Sequence, residues 1–112
     1  MYQVFRTARF EKEMMKQLSS AEQEAVANFE KKHLVFDPYV GDHLGYPFFR
    51  EKKLSGKRVY FLIYDDVKIV LMVSVSDKKA QHDTIEEIKL HLKDYYALVK
   101  EVLTRHGGYG HA

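Results

Sequence analysis

The sequence predicts a single α+β domain in which helices pack against an antiparallel β-sheet of about four strands. Three observations predict it: two amphipathic helical segments near the N-terminus, three strand-like segments joined by short turns, and a long amphipathic helix at the end. The 112 residues suffice for one hydrophobic core and are too few for two ordinary domains. We therefore expect one domain over residues 1–106 and a flexible tail over residues 107–112, in the order β-α-α-β-β-β-α.

A short strand and a first helix are predicted at the start of the chain. Residues 2–6 have the composition of a strand, and Thr7 or Ala8 then begins a helix. Apolar side chains recur every four residues along this helix, at Phe10, Met14 and Leu18. This spacing is that of the buried stripe of an α-helix.

A second helix, over about residues 21–33, is predicted to form a hairpin with the first. Ser19 with Glu22, or Ser20 with Gln23, has the spacing of a capping box, and the sequence leaves both starts open. The side chains expected to be buried are Ala25, Val26 and Phe29. Because only two residues separate the helices, they are expected to pack side by side.

A loop rich in proline and glycine, over residues 37–47, precedes a block of strands. The predicted strands are residues 48–54, 57–65 and 68–76. The short turns at Ser55-Gly56 and Asp66-Val67 favour an antiparallel meander. The strand of residues 2–6 has no neighbour in sequence and is expected beside the last strand. We expect the helices to cover one face of this sheet and to leave the other face for water or a ligand.

The last element is predicted to be one long helix that begins near Asp83 or Thr84. Asp83 with Glu86, or Thr84 with Glu87, fits a capping box. One face remains apolar for several turns, at Ile85, Ile88, Leu92, Tyr95, Val99 and Val102. Gly107 is a natural end for such a helix. Tyr95 is expected in the core rather than stacked on a nucleic-acid base.

Several classes of function are excluded or disfavoured by composition. The chain has no cysteine, which excludes disulfides and thiolate chemistry. The histidines lack the spacing of a zinc site, and Ser55-Gly56-Lys57 lacks the glycine-rich run of a P-loop. The longest apolar runs are far shorter than a membrane span, and no secretion signal is evident. We expect a cytoplasmic protein without metal, cofactor or membrane partner.

Positive charge is concentrated in one short segment although the net charge is only +2. Residues 50–58 contain a single acid, Glu51, and five bases: Arg50, Lys52, Lys53, Lys57 and Arg58. Such a patch favours a polyanionic partner or an acidic protein. The alternative is a lysine-rich strand that merely discourages aggregation.

The pairing of the two strands decides which of these cations share a face. A two-residue turn at Ser55-Gly56 sets Lys53 across from Arg58 and Glu51 across from Tyr60, all on one side of the sheet. A slip of one residue would bring Arg50 and Lys52 to that side instead. Either pairing is expected to gather cations around Arg58 on an open surface.

Four segments of the chain, in this order, resemble the RelE/ParE superfamily of bacterial and archaeal toxins. They are Asp-Pro-Tyr-Val-Gly at 37–41, Arg-Glu-Lys-Lys-Leu-Ser-Gly-Lys-Arg-Val-Tyr at 50–60, Tyr-Asp-Asp at 64–66 and Ser-Asp-Lys-Lys-Ala-Gln at 76–81. The resemblance covers about residues 2–96. It implies a RelE-like fold, a cognate antitoxin partner and, for the RelE branch, cleavage of messenger RNA on the ribosome, which inhibits translation. The long last helix favours the ParE branch, which inhibits DNA gyrase.

The leading hypothesis is therefore a metal-independent endoribonuclease, an mRNA interferase. The alternatives are a non-catalytic gyrase inhibitor and a RelE-like binding module that has lost toxicity. The sequence does not decide whether the chain forms a homodimer, although a homodimer is consistent with it.

RNA is cut without metal when its own 2′-hydroxyl attacks the adjacent phosphate, which requires a base, an acid and cations. The resemblance places Arg58 at the phosphate-binding arginine of the family. The candidate catalytic residues are Arg58, Glu51, Lys53 and His82. The candidate RNA-binding residues are Arg50, Lys52, Lys57, Lys78, Lys79 and Gln81. The alternative interpretations are a surface ion pair of Arg58 with Glu51 and, for His82, a surface histidine.

Overall fold

The computed structural model describes residues 1–106 and confirms the predicted α+β architecture. The prediction of a flexible tail over residues 107–112 lies outside the described residues. The strands are β1 (Gln3–Arg6), β2 (Asp42–His43), β3 (Phe49–Leu54), β4 (Lys57–Tyr64) and β5 (Ile69–Asp77). The helices are α1 (Ala8–Gln17), α2 (Ser20–Phe29), α3 (Gln81–Leu90) and α4 (Leu92–His106), and a π-helical turn, Glu30–Leu34, continues α2.

The strands form one sheet in the order β1-β5-β4-β3-β2. β1 runs parallel to β5, which confirms the expected position of the first strand, and the other neighbours are antiparallel. The sheet has five strands rather than about four, because β2 pairs with β3 through Asp42–Glu51 and His43–Arg50. A strand of two residues carries no periodic signal, so its existence depends on this tertiary pairing.

The β3–β4 hairpin has the register that a two-residue turn predicts. Lys53 pairs with Arg58 and Glu51 pairs with Tyr60, so the alternative with a one-residue slip is wrong. Because side chains alternate across a strand, Arg50 and Lys52 lie on the opposite face from Arg58. The hairpin therefore divides its cations between the two faces of the sheet.

Both helices of the N-terminal hairpin begin at an N-cap residue with a hydroxyl side chain, Thr7 for α1 and Ser19 for α2. The Thr7 side chain accepts a hydrogen bond from the Phe10 backbone N–H. Of the two capping boxes, Ser19 with Glu22 forms. The prediction that Ala25 is buried is wrong. The face of α2 toward the core is centred between Val26 and Phe29, and Ala25 lies at its edge, about 100° around the helix from Val26, and is exposed.

Both faces of the sheet are covered, so the expectation of one open face is wrong. One core lies between the sheet and the α1–α2 hairpin, and its buried members include Phe10, Val26, Val59, Phe61 and Met72. A second core lies on the other face under α3 and α4, and its members include Phe49, Leu62, Leu71, Ile88 and Val99. The cause is visible in β4 and β5, which are apolar at consecutive positions and so need cover on both sides.

The C-terminal segment forms two helices rather than one long helix. α3 begins at Gln81, before either predicted capping box, and its N-cap Ala80 makes no side-chain hydrogen bond. The helical path breaks at His91, whose backbone departs from helical geometry and whose ring bonds to Asp94 at 2.9 Å. Tyr95 packs, partly buried, against the second core, as predicted. Within residues 1–106, no helix has both the length and the apolar character needed to cross a bilayer.

Candidate functional site

A cluster of buried polar side chains lies on the α3 face of the sheet, near the end that carries the β3–β4 turn. Glu51 of β3 and Arg58 and Tyr60 of β4 share this face, as the register predicts. Ser76 of β5 pairs with Arg58, and Gln81 of α3 reaches Glu51 from above. The sheet thus contributes four members, and the first turn of α3 contributes the fifth.

Arg58 and Glu51 form a buried ion pair with a long separation between the charged groups. Only 7% of Arg58 and 3% of Glu51 are exposed. Arg58 Nε lies 4.0 Å from Glu51 Oε1, and this buried nitrogen has no hydrogen-bond partner among the described residues. The expectation that Arg58 lies on an open surface is wrong. A buried N–H without an acceptor costs about 1–3 kcal/mol, so this guanidinium retains an unused donor.

Tyr60 and Ser76 are members of the cluster that the sequence did not single out. The Tyr60 hydroxyl and Ser76 Oγ lie 2.8 Å apart, and Tyr60 is fully buried. Burial raises the pKa of Tyr60, and the hydrogen bond with Ser76 opposes this effect only in part. The phenol therefore stays protonated at neutral pH. The available signals were the position of Tyr60 on the Arg58 face and the polar interruption of an apolar strand by Ser74 and Ser76.

Three lysines surround the cluster and remain exposed. Lys53 lies directly across from Arg58, and its ammonium is 3.6 Å from an Asp42 carboxylate oxygen. Lys78 and Lys79 follow the end of β5 and are exposed. These three residues, called here the lysine rim, lie where the ends of β3 and β5 approach the first turn of α3. The rim supplies positive charge that is accessible to a polyanion.

The remaining predicted RNA-binding residues lie on the other face of the sheet. Arg50 donates to the backbone carbonyls of Val40, Gly41 and Pro47, which fixes the loop before β3. Lys52 lies over the Phe29 ring, with its ammonium 5.4 Å from the ring centroid. Lys57 donates to the Gln17 carbonyl at the end of α1, at 2.7 Å. These three residues do not join the cluster around Arg58.

Glu51 and His82 are the two predicted acid–base candidates. Glu51 accepts two hydrogen bonds from the side-chain amide of Gln81. His82 is exposed in the first turn of α3. Within residues 1–106, no group of three or more histidine, cysteine, aspartate or glutamate side chains is arranged to hold a metal ion.

Comparison with known proteins identifies the fold. No protein-family model matches the sequence, and a search of curated proteins finds no match. A double-arginine mutant of the Escherichia coli toxin RelE in the free state is 24% identical, with a TM-score of 0.64 over 77% of this chain and 90% of that one. The chain has the RelE fold. A structure of the RelBE2 toxin–antitoxin complex from Mycobacterium tuberculosis matches at 22% identity, with a TM-score of 0.59 over 69% of this chain and 98% of that one.

The intact Escherichia coli RelBE complex gives a similar result. The match is 23% identical with a TM-score of 0.59, and it covers 69% of this chain and 96% of that one. Each match therefore includes at least 90% of the matched chain, whereas about a quarter to a third of the present chain lies outside the aligned region. The RelE fold confirms the architecture that the four resembling segments implied.

Proposed function

We propose that this protein is the toxin of a toxin–antitoxin pair and that it cleaves RNA by attack of a ribose 2′-hydroxyl on the adjacent phosphate. The observation that carries the proposal is Arg58, which is only 7% exposed and whose Nε has no hydrogen-bond partner among the described residues. The planar guanidinium matches the geometry of two phosphate oxygens. A bound phosphate would therefore give the Arg58 Nε the hydrogen-bond acceptor that it lacks among the described residues. The RelE fold supports the same function.

The residues around Arg58 suit each part of this reaction. Glu51 takes the proton of the 2′-hydroxyl, whose oxygen then bonds to phosphorus. Arg58 and the lysine rim stabilise the added negative charge on the phosphoryl oxygens. The bond from phosphorus to the 5′-oxygen breaks, and His82 donates the proton that this leaving group needs. The products are a 2′,3′-cyclic phosphate and a 5′-hydroxyl.

Access to Arg58 depends on the first turn of α3. In the described conformation the lysine rim is exposed, whereas Glu51 and Arg58 are buried and Gln81 donates to Glu51. The N-cap residue Ala80 has no side chain that could cap α3. This turn is held by the Asp77 carboxylate, which accepts a hydrogen bond from the Ala80 backbone N–H at 2.8 Å, and by the contact of Gln81 with Glu51. We therefore place the first RNA contacts on the lysine rim, and a small shift of this turn then opens the cluster.

The proposed target is messenger RNA on translating ribosomes, with the cytoplasm as the place of action and a cognate antitoxin as the protein partner. The solved relatives named above include toxin–antitoxin complexes, and this supports an antitoxin for the present chain. If expression of the chain leaves cells unharmed, the protein is instead a RelE-like binding module that has lost toxicity.

A second candidate is a non-catalytic inhibitor of DNA gyrase. One observation favours it: α3 and α4 cover the sheet face that carries Arg58, so the molecule has no open catalytic cleft on that face in this conformation. An inhibitor that acts by binding a protein target needs no such cleft. The burial of the acid–base candidate Glu51 points the same way.

The two candidates are separated by incubating the purified chain with RNA, with and without translating ribosomes, beside a gyrase supercoiling assay. If the proposal is correct, the chain produces RNA fragments with 2′,3′-cyclic phosphate ends and does not change the supercoiling activity of gyrase. Arg58→Met should lower cleavage by about 100-fold or more, as loss of a charge-stabilising donor typically does. Lys31→Ala is the control, because Lys31 is exposed and lies near β1, at the other end of β5. Gyrase inhibition without cleavage would favour the second candidate.

A further inference from the structure

A groove between α2 and β3 lies on the sheet face opposite the Arg58 cluster. Its volume is about 290 Å³. Lys32 and His33 line it from the helical side, Lys52 lines it from β3, and Phe29 and Leu54 form an apolar floor. This groove is separate from the lysine rim, because Lys52 and Lys53 point to opposite faces of the same strand.

The lining of this groove is cationic and lacks a carboxylate. Among the described residues, neither Lys32 nor Lys52 has a carboxylate oxygen within 4 Å, whereas Lys53 on the other face approaches Asp42 at 3.6 Å. The Lys52 ammonium instead lies 5.4 Å above the centroid of the Phe29 ring. Two cations without a carboxylate partner thus flank an apolar floor.

We propose that this groove binds a short acidic segment of a protein partner, with one apolar side chain on Phe29 and Leu54 and carboxylates on Lys32 and Lys52. The volume suits a few side chains rather than a folded surface. The apolar floor favours a peptide over RNA, whose backbone offers charge but no aliphatic group. The inference depends on the proposed function in one respect, since the antitoxin is the partner that this function implies.

The test uses the whole chain, labelled with ¹⁵N, and a synthetic helical peptide that carries glutamates on either side of a single leucine. Backbone amide signals of residues 25–33 and 52–54 are expected to shift. A peptide with glutamine in place of glutamate should bind at least about tenfold more weakly, and added salt should weaken the glutamate peptide. Lys32→Glu with Lys52→Glu should weaken binding to a similar extent.

The matched control is Lys12→Glu with Lys16→Glu, which reverses two exposed charges on α1 and should leave peptide binding unchanged. Lys32→Glu alone serves as a second test variant. Because Lys32 is exposed, this substitution should leave the fold intact. Peptide-induced shifts confined to the lysine rim would overturn the inference. Equal binding of the glutamine peptide, or an RNA oligonucleotide that occupies the groove, would overturn it as well.

The same variants separate this inference from the proposed function. Lys32→Glu alone should cleave RNA as the unmodified chain does, because Lys32 lies on the helical side of the groove, on the sheet face opposite Arg58. Loss of peptide binding with intact cleavage supports the groove. A chain that never cleaves RNA contradicts the proposed function but leaves the peptide measurement valid.

Discussion

The side-chain amide of Gln81 donates to both carboxylate oxygens of Glu51, at 3.0 and 3.1 Å, and so joins the first turn of α3 to β3. Glu51 is in turn 4.0 Å from the Nε of Arg58. The Glu51 carboxylate therefore takes its hydrogen bonds from the Gln81 amide rather than from the Arg58 Nε. We expect this contact to control access of a ligand to the polar cluster.

Loss of the Gln81 amide should loosen the start of α3. Gln81→Ala leaves the buried Glu51 carboxylate without these donors, which should lower the free energy of unfolding by about 1–3 kcal/mol. Urea unfolding measures the change, and amide hydrogen exchange over residues 80–84 should become faster. His82→Ala is the control, because His82 is exposed beside Gln81 and a substitution there should change stability by less than about 0.5 kcal/mol. Equal effects of the two substitutions would disprove the role of the contact.

The second core predicts a strong dependence of stability on α3. Ile88 is fully buried, whereas Leu90 in the same helix is 82% exposed. Ile88→Ala should lower the free energy of unfolding by about 2–5 kcal/mol, since a cavity would form between α3 and the sheet. Leu90→Ala should have almost no effect. If thermal or urea unfolding shows the two variants to be alike, α3 does not cover this face in solution.

Stability should also depend on pH through the bridge between α1 and α3. The hydrogen bond from Arg9 lowers the pKa of Glu87 below its ordinary value of 4.5. A lowered pKa in the folded state means that the bridge stabilises the protein above about pH 4.5 and is lost as the pH falls through the folded pKa. The side chains of Arg9 and Glu87 are 37% and 47% exposed, so solvent limits the gain to about 1 kcal/mol or less.

Glu87→Gln should therefore reduce the free energy of unfolding at pH 7 and have a smaller effect near about pH 2, because the carboxyl gains a proton as the pH falls through its lowered folded pKa. Urea unfolding at the two pH values measures this difference. Glu24→Gln, at an exposed carboxylate of α2, is expected to have no effect at either pH. A Glu87→Gln effect of the same size at both pH values would show that the charge plays no part.

The sheet was predictable because local patterns decide most of it. The two-residue turn at Ser55-Gly56 fixes the register of β3 and β4, and the unpaired β1 has few places to join the sheet. The cover on both faces was also readable, since Val59 to Ile63 are apolar without interruption. β2 was not predictable, because it depends on tertiary pairing with β3. The break at His91 was not predictable either, because its contacts, to Ile88 and Asp94, are local ones that involve neither proline nor glycine.

The candidate site was only partly predictable. Register alone placed Glu51, Lys53 and Arg58 on one face. Their burial was not evident, because it depends on where the first turn of α3 lies and on Gln81, which the sequence marked only as a contact to RNA. Arg50 and Lys52 look equivalent to Lys53 in sequence, yet alternation along β3 directs them to the other face.

The most direct test of the proposed phosphate site is the ¹⁵Nε–¹Hε NMR signal of Arg58 during titration with an RNA whose 2′-hydroxyls are methylated to prevent cleavage. Arg50 Nε already donates to the Val40 carbonyl at 2.9 Å and serves as an internal reference. The account predicts that the Arg58 signal shifts strongly and exchanges more slowly with water as RNA binds, because its unpartnered Nε gains a phosphate acceptor, while the Arg50 signal stays unchanged. RNA that binds without altering the Arg58 signal, or RNA that does not bind, would contradict it.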